Sequence, residues 1–484
     1  MRPILLGGWL VALISCGLLF YFLQMKRLLW GRDWFFILFY AQSLLYLNVS
    51  PMLYLSHPTP LSWSGVPDES TTVLYVLIEV VALVFFQIPL IVIYKNRIRR
   101  NSKIFANHGR LVLNQNRVLV LGVMGLLFSA LFLYVMVSSG LFRAITIYQN
   151  AGLPSVYVGL PTSIYVLMRL FQESGLFLSG TFLLMLLNGQ SLSGLGRFVV
   201  LAAFLSVFGT WLMFYLVNGS RSFMVIAVLL MLGVIVTHLR PLTAKRSKSI
   251  KKVVIVGLLV AVYLLKVAYA VRFSGQNGLS IDALNPLNFS FTDNFSNEGI
   301  YDFRYRFDGL DGMVMITPRA MNEGFALGQA WTKLAYVTVA QIFDRSRVAD
   351  LKLDRSTDPK MYLIFRYTNH SDAIDWPNSI LFDLYGNFSI FGIFFGGWLF
   401  ASMYSYSETA MFAKRSSLSV LFALLLLIGT MQFESTFLAW FFSILNTLPV
   451  FVMVTWLRPF SIVLGDLPTK TTHRLIQNTR ELAP

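Results

Sequence analysis

The chain has 484 residues, of which 56% are hydrophobic and only 13% are charged, and its formal net charge is +16. Soluble globular domains usually carry about a quarter charged residues, so this composition excludes an ordinary soluble protein and indicates a membrane protein. The chain has a single cysteine, Cys16, which excludes an intramolecular disulfide.

Long apolar segments predict an all-α polytopic membrane protein with about eleven transmembrane helices. A segment of about 18 apolar residues can cross the hydrocarbon core, and a helix satisfies its own backbone hydrogen bonds there. The first segment lacks the basic n-region and the clear cleavage site of a signal peptide, so we expect it to be retained. In chain order, the predicted spans are 3–24, 34–55, 73–94, 118–138, 164–187, 198–217, 222–239, 253–271, 379–403, 418–432 and 435–457.

Basic residues cluster in the segments that fall on one side of the membrane if the spans alternate. Loop 95–117 carries seven lysines and arginines, loop 240–252 carries six, and neither loop carries an acid. Because cytoplasmic loops are enriched in these residues, we predict a cytoplasmic C-terminus and an N-terminus on the outside. The basic residues are scattered over five segments at one face of the bilayer, so nucleic acid is not a predicted partner.

The opposite face holds one large hydrophilic segment, 272–377, with thirteen of the 23 acids and eleven lysines and arginines. Its length indicates a functional unit rather than a linker. The stretch "LGQAWTKLAYVTVAQIF" (327–343) has approximate helical periodicity, so we expect short amphipathic helices on the membrane surface, anchored by Trp331 and Trp376. The predicted regions are an N-terminal membrane region 1–271, the large outer loop 272–377, a C-terminal membrane region 378–457 and a cytoplasmic tail 458–484.

Arginines on the outer side are informative because the positive-inside bias disfavours them there. Arg169 lies one turn before Glu173, where it either forms an ion pair with that glutamate or faces a functional cavity. Arg221 either snorkels from a loop or binds an anion, because "NGSRS" (218–222) places hydroxyls and an arginine at a helix N-terminus. Guanidinium groups around one cavity would bind phosphate in a bidentate manner. The other outer arginines considered are Arg143, Arg272, Arg304, Arg306 and Arg319.

Two stretches resemble motifs of bacterial oligosaccharide repeat-unit polymerases of the Wzy type. "LVNGSRSFMVIAVLL" (216–230) resembles the G-[ST]-R turn that opens a helix in that family. "YRFDGLDGMVMI" (305–316) resembles the R-x-D-x-L segment early in the family's large periplasmic loop.

Two further stretches are similar to the same family but depart from its pattern. "QIFDRSRVADLKLDRSTDP" (341–359) is similar to the I-P-R…K-P stretch, although Asp344 replaces the proline before Arg345. "PNSILFDLYGNFSIFGIFFGG" (377–397) is similar to S-x-x-G-x-x-Y-x-N-F-G-x-x-G, with Ser389 where glycine is usual. The resemblance extends over about residues 120–400.

The resemblance implies a GT-C-like glycosyltransferase in the bacterial inner membrane, with a periplasmic N-terminus. Such a polymerase moves the growing glycan from its polyprenyl diphosphate carrier to the next lipid-linked repeat unit, as in the synthesis of O-antigen or exopolysaccharide. The outer arginines, including Arg345, would bind the diphosphate or the glycan. The lipid diphosphate is the leaving group, so no cofactor and no metal are expected. A flippase and a chain-length regulator are implied partners.

The reaction needs a base at the acceptor hydroxyl, and the outer side offers five candidates. His370 takes a proton near pH 7 without a large pKa shift, although a surface-loop histidine is the alternative interpretation. Asp308 and Asp311 either neutralise nearby arginines or act as the base. Glu434, in a predicted outer turn, is a further candidate, and Glu79 is either a packing acid or part of a cavity wall.

Three rival functions fit parts of the same pattern. An O-antigen ligase shares the large outer loop and the outer arginines but uses another acceptor. A transporter or flippase of lipid-linked oligosaccharides would also be apolar, yet it does not usually need an outer loop of this size. A non-catalytic scaffold accounts for the topology but not for the arginines.

Overall fold

A computed structural model of the chain describes eleven continuous ranges and several short helical stretches within 227–264. The ranges are 3–25, 33–56, 68–101, 109–140, 162–188, 192–217, 311–343, 362–368, 379–413, 416–430 and 437–464, with 437–464 comprising a helix and a strand. Within them the structure is almost entirely helical, in agreement with the predicted class.

The helices of the first half of the chain are long and continuous. They are α1 (Pro3–Met25), α2 (Trp34–Leu44), α3 (Ser50–Ser56), α4 (Glu69–Ala82), α5 (Ile88–Asn101), α6 (Gln115–Ser138), α7 (Thr162–Leu187) and α8 (Gly194–Val217). One π-helical turn, Leu45–Val49, joins α2 to α3, and another, Leu83–Gln87, joins α4 to α5.

The second half adds four helices of 7 to 15 residues and two longer ones. They are α9 (Asp311–Glu323), α10 (Gln329–Phe343), α11 (Tyr362–Thr368), α12 (Ile380–Ala413), α13 (Ser417–Thr430) and α14 (Phe437–Leu457). Two strands, β1 (Gly109–Leu113) and β2 (Phe460–Leu464), form an antiparallel pair.

Seven of the described helical segments are long and apolar enough to cross a membrane. Their exposed side chains include large apolar residues such as Leu13, Leu127 and Phe198, as expected for surfaces in contact with lipid. The chain is therefore a helical membrane protein. Helices α13 and α14 contain shorter apolar segments, and the predicted spans 222–239 and 253–271 fall largely outside the described residues. The count of eleven spans stays a prediction.

Buried amides join the first helices of the bundle. Ser15 donates to Gln87 Oε1 at 2.7 Å, and Gln87 Nε2 donates to Asn48 Oδ1 at 2.6 Å. Gln87 and Asn48 lie in the two π-helical turns, which therefore face one another across the bundle. Glu79 is fully buried nearby: a Cβ added to Gly8 of α1 would lie 3.0 Å from Glu79 Oε2. This burial favours the packing interpretation of Glu79.

The small sheet joins the segment after α5 to the segment after α14. Gly109 pairs with Leu464 and Leu113 with Phe460, so the loop after α5 and the segment after α14 lie at one end of the bundle, the sheet end. Neither strand was predicted from the sequence. Each is short and comes soon after the end of a helix, so no separate strand pattern stands out. Both segments were predicted to share the cytoplasmic side, and their pairing agrees with a shared side.

Helices α9, α10 and α11, which we call the cap, lie at the other end of the bundle, the cap end. Helix α14 connects the two ends directly: the ring of its first residue, Phe437, stacks on Trp331 of the cap, and its last residue, Leu457, is followed by β2. A helix of 21 residues is about 31 Å long, which matches the hydrocarbon thickness of a bilayer. The predicted placement of 272–377 and 95–117 on opposite sides of a membrane stays a prediction.

Candidate functional site

Helix α12 is broken at Ser389 into a short segment, 380–388, and a long one, 390–413. Ser389 has φ 60° and ψ −151°, a backbone conformation that is almost restricted to glycine. In a straight helix, residues 384 and 392 would be about 12 Å apart. Instead, a Cβ added to Gly392 would lie 2.2 Å from the Leu384 carbonyl oxygen, so the chain folds back sharply at Ser389.

The short segment 380–388 is buried and carries a carboxylate at its centre. Asp383 is only 2% exposed. Its Oδ2 accepts hydrogen bonds from Trp331 Nε1 at 2.9 Å and from the Phe437 backbone N–H at 3.0 Å. Its Oδ1 accepts a bond from Asn387 Nδ2 at 2.9 Å. One carboxylate therefore connects the cap, the broken helix α12 and helix α14.

The loop between α9 and α10 covers the C-terminal end of the same short segment. The backbone N–H groups of Ala326 and Leu327 donate to the carbonyls of Gly386 and Asn387, and the Gly328 N–H donates to Asn387 Oδ1 at 3.1 Å. Carbonyls at the end of a helix need such partners because the helix itself supplies none. Leu327 and Gly328 both have positive φ values, 47° and 84°, so this contact also rests on an unusual backbone.

Trp331 lies at the centre of this junction. Besides its bond to Asp383, its ring stacks on Phe437 with centroids 5.1 Å apart and meets Phe388 edge-on at 4.9 Å. The predicted role of Trp331 as an aromatic membrane anchor stays a prediction, and the structure assigns its indole N–H to the bond with Asp383. The helix predicted within 327–343 is confirmed as α10, while Trp376 lies outside the described residues.

Two cations meet at one tyrosine on the cap. Arg366 Nη1 donates to Gln329 Oε1 at 2.5 Å and to the Tyr362 hydroxyl at 3.2 Å, and Lys333 Nζ lies 4.2 Å from the centre of the Tyr362 ring. The pKa of Arg366 is raised: burial opposes this shift, but the hydrogen bond to Tyr362 and nearby negative charge, including Glu323, outweigh it. The group is therefore a permanent cation held by neutral partners.

Arg169 forms the ion pair that was one of its two predicted interpretations. Arg169 Nη1 lies 3.9 Å from Glu173 Oε1 within α7. Glu173 also accepts a hydrogen bond from the Ser443 hydroxyl, and Thr447 donates to the Glu173 carbonyl at 3.1 Å. Glu173 therefore links α7 to Ser443 and Thr447 of α14, which lie less than three turns after Phe437. Arg169 remains 43% exposed.

Of the other predicted site residues, Arg319 lies on α9 and is exposed. Asp311 begins that helix. The remainder fall outside the described residues: Arg143, Arg221, Arg272, Arg304, Arg306, Arg345, Asp308, His370 and Glu434. Within the described ranges, no three or more His, Cys, Asp or Glu side chains form a group that could hold a metal ion.

Comparison with known proteins gives no match. No protein-family model, no curated protein and no solved structure is similar to the chain at a significant level.

Sequence reasoning missed Asp383 and the Arg366 cluster as parts of the site. Asp383 was quoted within the motif stretch 377–397 but was not assigned a role. The available signal was a single acid in a mostly apolar segment. A buried carboxylate needs several hydrogen-bond donors, so such an acid indicates a contact between different parts of the chain.

Proposed function

We propose that the chain polymerises lipid-linked oligosaccharide repeat units at the periplasmic face of a bacterial inner membrane. The observation that carries the proposal is the cap, a folded unit held by Asp383 against a broken helix at one end of an apolar bundle. Basic side chains belong to this end as well, namely Arg169, Arg319, Lys333 and Arg366. A polar platform beside lipid suits a substrate with a glycan head and a polyprenyl tail.

In the proposed reaction, a hydroxyl oxygen of the lipid-linked acceptor attacks the anomeric carbon of the donor glycan. The bond from that carbon to the diphosphate oxygen breaks, and polyprenyl diphosphate leaves with the electron pair. A base removes the proton of the attacking hydroxyl, and His370 is our first choice, with Asp308 and Glu434 as alternatives. Arginine side chains stabilise the charge that develops on the diphosphate.

The candidate arginines for that role are those predicted from the sequence. We assign Arg143, Arg221 and Arg306, together with Arg169, to the diphosphate, while Arg304, Arg319 and Arg345 contact the diphosphate or the glycan. The observed Arg169–Glu173 ion pair weakens the case for Arg169, since part of its charge is already balanced. Its 43% exposure still leaves it accessible to a ligand.

A deletion strain separates this function from its rivals, because a polar glycan cannot cross the hydrocarbon core unaided. Loss of a polymerase leaves single repeat units at the outer face that are still transferred to their final acceptor. Loss of a ligase lets long lipid-linked polymer accumulate, and loss of a flippase strands single units on the cytoplasmic side. Long lipid-linked chains in the deletion strain would make the ligase the better assignment. A His370→Ala strain should reproduce the single-unit pattern.

A further inference from the structure

The guanidinium of Arg366 is held in a fixed orientation from one side. Its Nη1 group donates to two neutral acceptors, Gln329 Oε1 and the Tyr362 hydroxyl. The two acceptors come from different cap helices, α10 and α11, so the side chain cannot rotate without breaking contacts with both. The guanidinium also lies 5.3 Å from the ring of Tyr367, whose hydroxyl is bonded to the Gly324 carbonyl.

The other edge of the same guanidinium is available for a ligand. Among the described residues, Nε and Nη2 of Arg366 have no hydrogen-bond partner, and no carboxylate lies within ion-pair distance of the group. That edge presents two parallel N–H donors, the arrangement that matches two oxygens of a phosphate or carboxylate. Lys333 adds a second positive charge on the face of Tyr362.

We propose that Arg366 and Lys333 form a binding site on the cap for a two-oxygen anion of the glycolipid substrate. Such an anion has two sources in a lipid-linked saccharide, the diphosphate of the carrier or the carboxylate of an acidic sugar. Gln329 and Tyr362 are positioning residues, because they orient the guanidinium without using its free edge. The identity of the ligand rests on the proposed function, whereas the existence of an oxyanion site does not.

The test measures anion binding to the purified full-length protein in a neutral detergent. Binding is detected as a shift in melting temperature at constant ionic strength. Inorganic pyrophosphate and glucuronate are titrated separately as probes for the two sources. We expect one probe to stabilise the protein and Arg366→Gln to weaken that binding by at least about tenfold, because a charge-assisted bidentate contact is lost. Arg366→Lys should weaken it nearly as much, since an ammonium cannot form the fork.

Further variants separate orientation from charge. Tyr362→Phe keeps the ring and the Lys333 contact but removes one of the two acceptors of Nη1, so we expect a loss of several-fold. Glu323→Gln removes nearby negative charge and should tighten binding. Arg97→Gln is the matched control, because Arg97 is also partly buried over an aromatic ring, Trp398 at 5.6 Å, but lies on α5 outside the cap. It should leave binding unchanged.

Three results would overturn the site: neither probe binds, Arg366→Gln binds like the wild type, or Arg97→Gln weakens binding equally. The polymerase proposal and the anion site can fail independently of each other. Anion binding that depends on Arg366 in a protein that makes no polymer would keep this site and refute the polymerase. Normal polymer in an Arg366→Gln strain, with unchanged anion binding, would refute the site alone.

Discussion

The indole of Trp331 donates a hydrogen bond to Asp383 across 2.9 Å, and this bond attaches the cap to the broken helix α12. The same carboxylate oxygen accepts the N–H of Phe437, the first residue of the last helix. Three parts of the chain that are far apart in sequence therefore share one buried acceptor.

Replacing Asp383 by Asn should loosen the cap. All three described donors point at the carboxylate, two at Oδ2 and one at Oδ1, so the amide NH₂ would face a donor in either orientation. We expect a loss of about 1–3 kcal/mol in stability, because a buried donor is left unsatisfied. Melting of the purified protein and limited proteolysis within 311–368 measure the effect.

Trp331→Phe and Trp9→Phe form a matched pair for the same experiment. Trp9 also uses its indole N–H, which donates to Ser56 at 3.1 Å, but it lies on α1 and is not part of the cap. Only Trp331→Phe should increase cleavage of the cap. Equal cleavage in Asp383→Asn and the wild type would contradict the role given to Asp383.

Ser389→Gly should stabilise the protein by about 1 kcal/mol. Ser389 occupies a backbone conformation at φ 60° that costs a residue with a Cβ on the order of 1–3 kcal/mol, whereas glycine adopts it freely. Ser402→Gly, in the regular part of α12, is the control and should destabilise by about 0.5 kcal/mol, because glycine is a poor helix former. Thermal melts should shift in opposite directions. A lower melting temperature for Ser389→Gly would rule out strain at this position.

Much of the helical bundle could be predicted from apolar segments alone. Spans such as 118–138 and 198–217 correspond closely to α6 and α8, because each must satisfy its own backbone in lipid. The reversal at Ser389 could not be predicted this way, since the hydropathy of 379–403 continues through it. The noted departure from the family pattern, Ser389 where glycine is usual, falls at the residue with the glycine-like conformation.

The candidate site was less predictable than the bundle. Periodicity within 327–343 indicated a helix, but it did not identify the partner of Trp331, because Asp383 lies 52 residues away in sequence. The β1–β2 pair could not be predicted for the same reason, because its strands have five residues each and the second begins 347 residues after the first ends. Pairwise contacts of this kind depend on tertiary structure and leave little trace in local sequence.

The predicted sidedness of the loops can be tested by cysteine labelling. Cys16, the only cysteine, is exposed on α1, so it is first replaced by serine. Ser274→Cys, in the large loop, should react with a membrane-impermeant maleimide from outside, and Ser247→Cys should not. Labelling of both positions from the same side would remove the basis for counting the outer arginines as a set.

Arg221→Lys should already shorten the polymer or reduce its yield. A lysine keeps the charge but cannot form the bidentate contact that a guanidinium makes with a phosphate. Arg221→Ala should abolish the product. The measurement is the length distribution of the glycan in strains with equal protein levels, and unchanged length and yield in Arg221→Ala would contradict a diphosphate role for this residue.

The central claim is tested most directly by the purified protein in liposomes that contain lipid-linked repeat units and no other enzyme. The account predicts lipid-linked glycans of two, three and more units, with one polyprenyl diphosphate released for each bond formed. His370→Ala liposomes should contain only the starting single units. Wild-type protein that releases no polyprenyl diphosphate, or that moves single units across the bilayer without joining them, would contradict the polymerase assignment.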